Sequence, residues 1–237
     1  MDKKQNTTAK KSWTHIFTLE LLAVLLIFLC IIVFVYAARM VFIHKNTGFD
    51  DATFDAIRPY ITPSRTRFME FITLLGKHTI LIPLNLLLIA YFLFKRKKWF
   101  AIRIAALSLS SLLLKIILKI SFQRERPASP VIQDVAGFSF PSGHALVGIV
   151  FYGLLIYVVW KTVEMKWLRY SLSFFFLILI ILISFSRIYL RVHYASDVIA
   201  GLAVGFIWLI LSLSIISRIE KRYIARRTLQ REKLLDD

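Results

Sequence analysis

Six long apolar runs dominate this 237-residue chain and limit what it can fold into. Hydrocarbon offers no hydrogen-bond partners, so a spanning segment must satisfy its own backbone N–H and C=O groups, as a helix does. Each span needs roughly 20 apolar residues. Runs near Ile16–Ile43, Phe68–Phe94, Phe100–Phe122, Gly143–Trp160, Tyr170–Tyr189 and Ala195–Ser217 meet that need. The first opens on a basic segment, as a signal peptide does, but it is too long for a signal core and reads as a retained span. The expected fold is therefore all-α, a six-transmembrane-helix bundle. Composition agrees: 58% of residues are hydrophobic and only 19% are charged, against roughly 25% charged in soluble domains. A soluble core cannot hide that much apolar surface, and a disordered chain would be polar.

The polar stretches organise the rest. His44–Arg67 mixes Phe49, Phe54 and Ile57 with Asp50, Asp51 and Asp55. It reads either as an external amphipathic segment on the membrane surface, between the first and second spans, or as an ordinary loop. The expected division is a cytoplasmic N-terminus (1–15), one membrane domain (16–217) and a basic cytoplasmic tail (218–237). The net charge of +17 would suggest nucleic acid in a soluble protein. Here the basic residues are divided among short segments flanking the spans, which argues against nucleic acid and for a bilayer partner. Lys and Arg number 18 on the side of the termini and 8 on the other. The positive-inside rule then puts both termini in the cytoplasm and the loops before the second, fourth and sixth spans outside. A single cysteine, Cys30, rules out an internal disulfide and a cysteine metal cluster. Gly201 and Gly205 form a GxxxG that reads as helix packing.

Ionisable groups at the membrane edge are costly and call for a reason. Three clusters share the outer edge: Lys119 with Arg126-Pro127; Pro141-Ser142-Gly143-His144; and Ser186-Arg187, His193 and Asp197. Each has an ordinary reading alone: a snorkelling lysine, a helix cap at Ser142, a first-turn dipole partner at Asp197. Together they compose a site for a multiply charged anion. Lys119, Arg126 and Arg187 supply cations, and the arginine fork matches phosphate oxygens. Ser142 and Gly143 open a helix whose free N–H groups favour an anion. His193 and Asp197, four apart, share a helix face if the helix begins there, so the carboxylate can hold one ring nitrogen and leave the other as nucleophile. His144 remains as general acid. Two histidines with few local carboxylates point to acid–base and nucleophilic work rather than to a metal site.

These three blocks resemble the type-2 phosphatidic acid phosphatase superfamily, in the patterns Lys119-x6-Arg126-Pro127, Pro141-Ser142-Gly143-His144 and Ser186-Arg187-x5-His193-x3-Asp197. The resemblance implies a helical bundle that hydrolyses a lipid phosphate ester or diphosphate through a phosphohistidine, with no metal and no cofactor. It implies that His193 attacks phosphorus, Asp197 orients it, and His144 protonates the leaving group and then activates water. Lys119, Arg126, Ser142, Gly143 and Arg187 would hold the phosphoryl oxygens. Phosphatidylglycerophosphate, phosphatidic acid, undecaprenyl pyrophosphate and lipid A phosphates are the implied substrates, at a bacterial inner membrane with the site facing the periplasm or exterior. His44–Arg67 and Gln123–Phe140 are expected to shape the choice. Lys77 and His78 are further candidates, and Glu125 reads as a substrate-tuning group or a loop ion pair. A lipid phosphotransferase and a non-catalytic anionic-lipid transporter or flippase are the alternatives.

Overall fold

The structure is a computed structural model that describes residues 2–132 and 136–236, with side-chain environments for residues 21–132 and 136–230. Residues 133–135 of the Gln123–Phe140 loop, and the two terminal residues, lie outside the described residues. The architecture is all-α, with no strands among the described residues. Eight helices follow in order: α1 (Asp2–Phe42), α2 (Gly48–Ile57), α3 (Pro63–Leu74), α4 (His78–Phe94), α5 (Lys98–Phe122), α6 (Gly143–Thr162), α7 (Lys166–Tyr189) and α8 (Ala195–Asp236). Six stretches are long and apolar enough to cross a membrane, α3 and α4 together forming one of them. The protein is a multi-pass integral membrane protein.

One boundary differs from the sequence reading. The second span, expected from Phe68 with an irregular stretch at Gly76-Lys77-His78, starts earlier. It begins at Pro63 and breaks at Leu75-Gly76-Lys77. Pro63 at the first helical position and the Thr62 hydroxyl, which accepts from the Arg65 N–H, fix the start of α3. At the break, a Cβ on Gly76 would lie 2.6 Å from Ile183 Cγ2 and 2.9 Å from His144 Cδ2. Only a residue without a side chain lets the turn lie against α6 and α7. Beyond the apolar run that ends at Ser217, α8 continues without a break through the charged tail, whose composition reads as helical. The amphipathic reading of the external segment holds, as α2 followed by a 3₁₀ turn at Arg58–Tyr60, with Phe54 buried and Phe49 exposed.

Two apolar clusters hold the bundle. Ile104, Leu107, Val150, Leu154 and Leu209 join α5, α6 and α8; Ile72, Leu81, Phe151, Tyr152 and Ile183 join α3, α4, α6 and α7. In lipid the hydrophobic effect does not drive helices together, so close van der Waals packing must. The GxxxG serves that end: a Cβ on Gly201 would sit 2.6 Å from the Ser142 carbonyl oxygen. The start of α8 is thereby pressed onto the start of α6, and those two helix starts carry Asp197 and His144. A third cluster closes the end of the bundle that carries these helix starts. Phe34 and Phe42 of α1 pack with Phe122 and Phe140 at centroid separations of 5.0–5.9 Å. Phe140 is fully buried and anchors the segment leading into α6.

Candidate active site

The chain leaves α5 through Gln123, in the left-handed region at φ 46°, whose N–H still reaches the Lys119 carbonyl. The loop then folds back on itself, since the Ser139 N–H donates to the Arg124 carbonyl at 2.7 Å. A second turn between α7 and α8, in which the Val192 and His193 N–H groups both donate to the Arg187 carbonyl, carries His193 inward. The Ser142 N–H donates to the Asp197 carbonyl at 2.9 Å, joining the two turns.

These connections gather the expected residues around one cavity of about 260 Å³, lined by Lys119, Arg126, Gly143, His144, Arg187 and His193, together with Lys115 and His78. Ser142 and Asp197 stand behind that lining, both fully buried. Of the two further candidates, His78 reaches the cavity and Lys77 does not. Lys115, one turn before Lys119, also faces the site.

His193 is 1% exposed. Its Nδ1 lies 3.4 Å from Asp197 Oδ2 and 3.3 Å from Ser139 Oγ. Its Nε2 lies 3.4 Å from Arg126 Nη1. A guanidinium can only donate, so Nε2 is the accepting nitrogen and the proton resides on Nδ1, directed at the carboxylate. The Ser139 hydroxyl donates to Asp197 Oδ2, which leaves its own lone pairs toward Nδ1. Burial pushes the imidazole down to about 3, against the upward pull of Asp197, so the ring is neutral at pH 7 and Nε2 keeps its lone pair.

The cations are held in different ways. Arg126 donates through Nε to the Gly137 carbonyl (2.8 Å) and through Nη1 to the Val192 carbonyl (2.6 Å). Lys119 donates to the Phe138 carbonyl. Arg187, 4% exposed, donates through Nη1 to Thr73 Oγ1 at 2.7 Å, which ties it to α3. Ser142 does not act as a side-chain cap. Its Oγ and the Arg187 Nε are buried and have no hydrogen-bond partner among the described residues.

Sequence reasoning missed several members. Ser139, Thr73 and Arg124 contact the expected residues directly, and Asp50 and Ser196 contact Arg124. Arg124 is the largest omission: its Nη1 lies 2.6 Å from Asp197 Oδ1 and its Nη2 lies 2.8 Å from Asp50 Oδ2. The loop ion pair suggested for Glu125 is replaced by this one; Glu125 itself is exposed. Apart from the Arg-x-Arg spacing beside Pro127, nothing in the residues signalled Arg124.

Known proteins are similar to this chain in sequence and in fold. The sequence pattern of the PAP2 superfamily matches residues 98–221. Phosphatidylglycerophosphatase B of Bacillus subtilis is 29% identical over 170 residues, covering 70% of this chain and 83% of that protein. An undecaprenyl-diphosphatase of Sulfolobus acidocaldarius is 28% identical over 187 residues, covering 76% and 84%. Among solved structures, the transmembrane PAP2-type phosphatidylglycerolphosphate phosphatase of Bacillus subtilis superposes with a TM-score of 0.75 at 25% identity, over 81% of this chain and 96% of that one. LpxE of Aquifex aeolicus superposes at 0.53 with 26% identity, over 68% and 92%. The matched segment begins at α5 and ends within α8, so it contains all three motif blocks, and this chain belongs to the PAP2 superfamily.

Proposed function

We propose that this protein is an integral-membrane lipid phosphatase that works through a phosphohistidine. The reading rests on one observation: His193 Nε2 accepts from Arg126 at the wall of a cation-lined cavity, while Nδ1 is turned to Asp197. The nucleophilic nitrogen is thus aimed at the same space as the charges that would hold a phosphate.

In the first step Nε2 attacks phosphorus, the P–N bond forms and the P–O bond to the lipid breaks. His144, protonated, gives its proton to the departing oxygen. The ring of His193 becomes cationic and Asp197 balances that charge. In the second step His144 takes a proton from water, the resulting hydroxide attacks phosphorus, and the P–N bond breaks. Phosphate leaves, and both histidines return to their starting states. Phosphoryl transfer depends chiefly on positioning and charge stabilisation. Lys119, Arg126 and Arg187 provide both, and the unpaired Ser142 Oγ and Arg187 Nε add two donors. The three fixed cations take the charge-neutralising role a metal ion would otherwise fill, so turnover is expected to persist in chelator.

A cavity at the ends of membrane-spanning helices suits a lipid whose phosphate sits at headgroup level while its tails stay in the bilayer. Phosphatidylglycerophosphate and undecaprenyl diphosphate lead the substrate list, being the substrates named for two relatives; phosphatidic acid and lipid A phosphates complete it. On this reading both termini, including 1–15 and the 218–237 tail, are cytoplasmic and the membrane domain (16–217) opens its cavity to the exterior face; the even number of spans and the positive-inside rule support it.

The test is a side-by-side assay of these four purified lipid phosphates for released phosphate, with and without EDTA. At least one is hydrolysed in EDTA, and His193→Ala abolishes the release. Lipid translocation without phosphate release, or transfer of phosphate only to another alcohol, would contradict the reading.

A further inference from the structure

The polar network behind His193 extends past Asp197. Arg124 Nη1 donates to Asp197 Oδ1 at 2.6 Å and to Ser196 Oγ at 2.8 Å, and Nη2 donates to Asp50 Oδ2 at 2.8 Å. Asp50 belongs to α2, the external helix, and is 2% exposed. It also accepts from the Ser196 N–H (2.9 Å) and the Ser196 hydroxyl (2.7 Å), so it caps the start of α8 from outside that helix. The Arg124 guanidinium lies 3.8 Å from the centre of the Tyr194 ring, which shields one of its faces. Burial works against the charged guanidinium, but the two carboxylates outweigh it and raise its proton affinity. Arg124 does not line the cavity, whereas Arg126 does. The two arginines therefore serve different anions.

A buried carboxylate needs partners that fix both oxygens. Asp197 Oδ2 takes Ser139, the Tyr194 N–H and the neighbourhood of His193 Nδ1; Oδ1 is left to Arg124. Without the guanidinium fork the carboxylate is free to turn and release Nδ1. Without Asp50, the whole charge of Arg124 bears on Asp197, which weakens its balance of a cationic His193. From this geometry we infer that Arg124 and Asp50 are positioning residues for the His193–Asp197 pair. The external helix α2 thereby becomes part of the catalytic apparatus, not only a surface cover. The inference rests on the phosphohistidine reading above.

Two substitutions separate this role from a merely structural one. Arg124→Lys keeps a positive charge but removes the fork that spans two carboxylates. Asp50→Asn keeps an acceptor for the Ser196 N–H, because Asn caps a helix start as well as Asp does, and removes the counter-charge together with the oxygen that accepts from Arg124 and the Ser196 hydroxyl. Both are expected to lower kcat by roughly 10–100-fold, the range seen when a partner one shell out from a reacting group is removed. KM and the affinity for orthovanadate, a phosphate analogue, stay within about twofold. In ¹⁵N-histidine spectra both variants lose part of the Nδ1–H tautomer of His193. In an Asp197→Asn background, Arg124→Lys has little further effect on kcat. Four results would overturn the inference: unchanged kcat in both variants, a loss confined to KM or vanadate affinity, an unaltered His193 tautomer, or an undiminished Arg124→Lys effect in the Asp197→Asn background. Wild-type protein that hydrolyses none of the four lipids would instead defeat the phosphatase reading itself, so the two failures are distinct.

Discussion

His193 carries the largest chemical consequence of a single position. A surface histidine titrates near 6.5, but burial takes this ring down to about 3 despite the adjacent carboxylate. Between those two values an unfolded chain binds a proton at this site and the folded protein does not. The site's contribution to stability is therefore complete above about pH 6.5 and declines as pH falls toward 3. Selective ¹⁵N-histidine labelling in detergent, with His193→Asn for assignment, is expected to show a neutral ring at pH 5. A ring that protonates near 6.5 would contradict the burial described here. The motif residues were legible because their types are chemically unusual at a membrane edge: cations, two histidines and an aspartate at helical spacing. Their supporters were not. Asp50 reads as one acidic residue among three in a polar stretch, and Ser196 lies 146 positions away from it. Ser139 and Thr73 are small polar residues of kinds that occur in any loop or helix end, so only tertiary contact reveals them.

At the scale of elements, glycines decide how closely the catalytic helices approach. Gly76 lets the α3–α4 break meet His144 and Ile183. Gly76→Leu is expected to displace His144 and lower kcat by more than tenfold, since even a Cβ there falls inside contact distance. Phosphate release measured on monodisperse, detergent-purified variant checks this, with Gly153→Ala as a packing control remote from the cavity. The six apolar runs were legible because hydropathy and length alone specify a span. The break in the second span was visible only as an uneven Gly76-Lys77-His78 stretch, because a helix interruption in a bilayer needs neighbouring protein to satisfy it. The helical continuation beyond Ser217 was legible in composition: the apolar run ends there, but nothing in the charged tail breaks a helix.

Across the whole molecule, an even number of spans places both ends of the bundle's chain on one side, and the cavity motifs all gather at the other. The proposed direction follows from charge asymmetry. A cysteine introduced in the tail at Thr228 is expected to react with membrane-impermeant maleimide only after the cells are opened, in a Cys30→Ser background. One at Glu125, in the exposed loop beside the cavity, reacts in intact cells with an accessible exterior face. The reverse pattern would invert the orientation and put the phosphate site on the cytoplasmic side. The same layout joins three distant segments: α2, the α5–α6 loop and the start of α8 meet through Asp50, Arg124 and Asp197.

The central claim is that His193 takes the phosphoryl group. The most direct measurement is rapid acid-free quenching of the protein during turnover of a ³²P-labelled lipid substrate, followed by peptide mapping at alkaline pH, where phosphohistidine survives. The label is expected on the peptide containing His193, attached through Nε2, and is expected to be absent from His193→Ala. Hydrolysis that proceeds at the normal rate in His193→Ala, or label found only on another residue, would contradict the account.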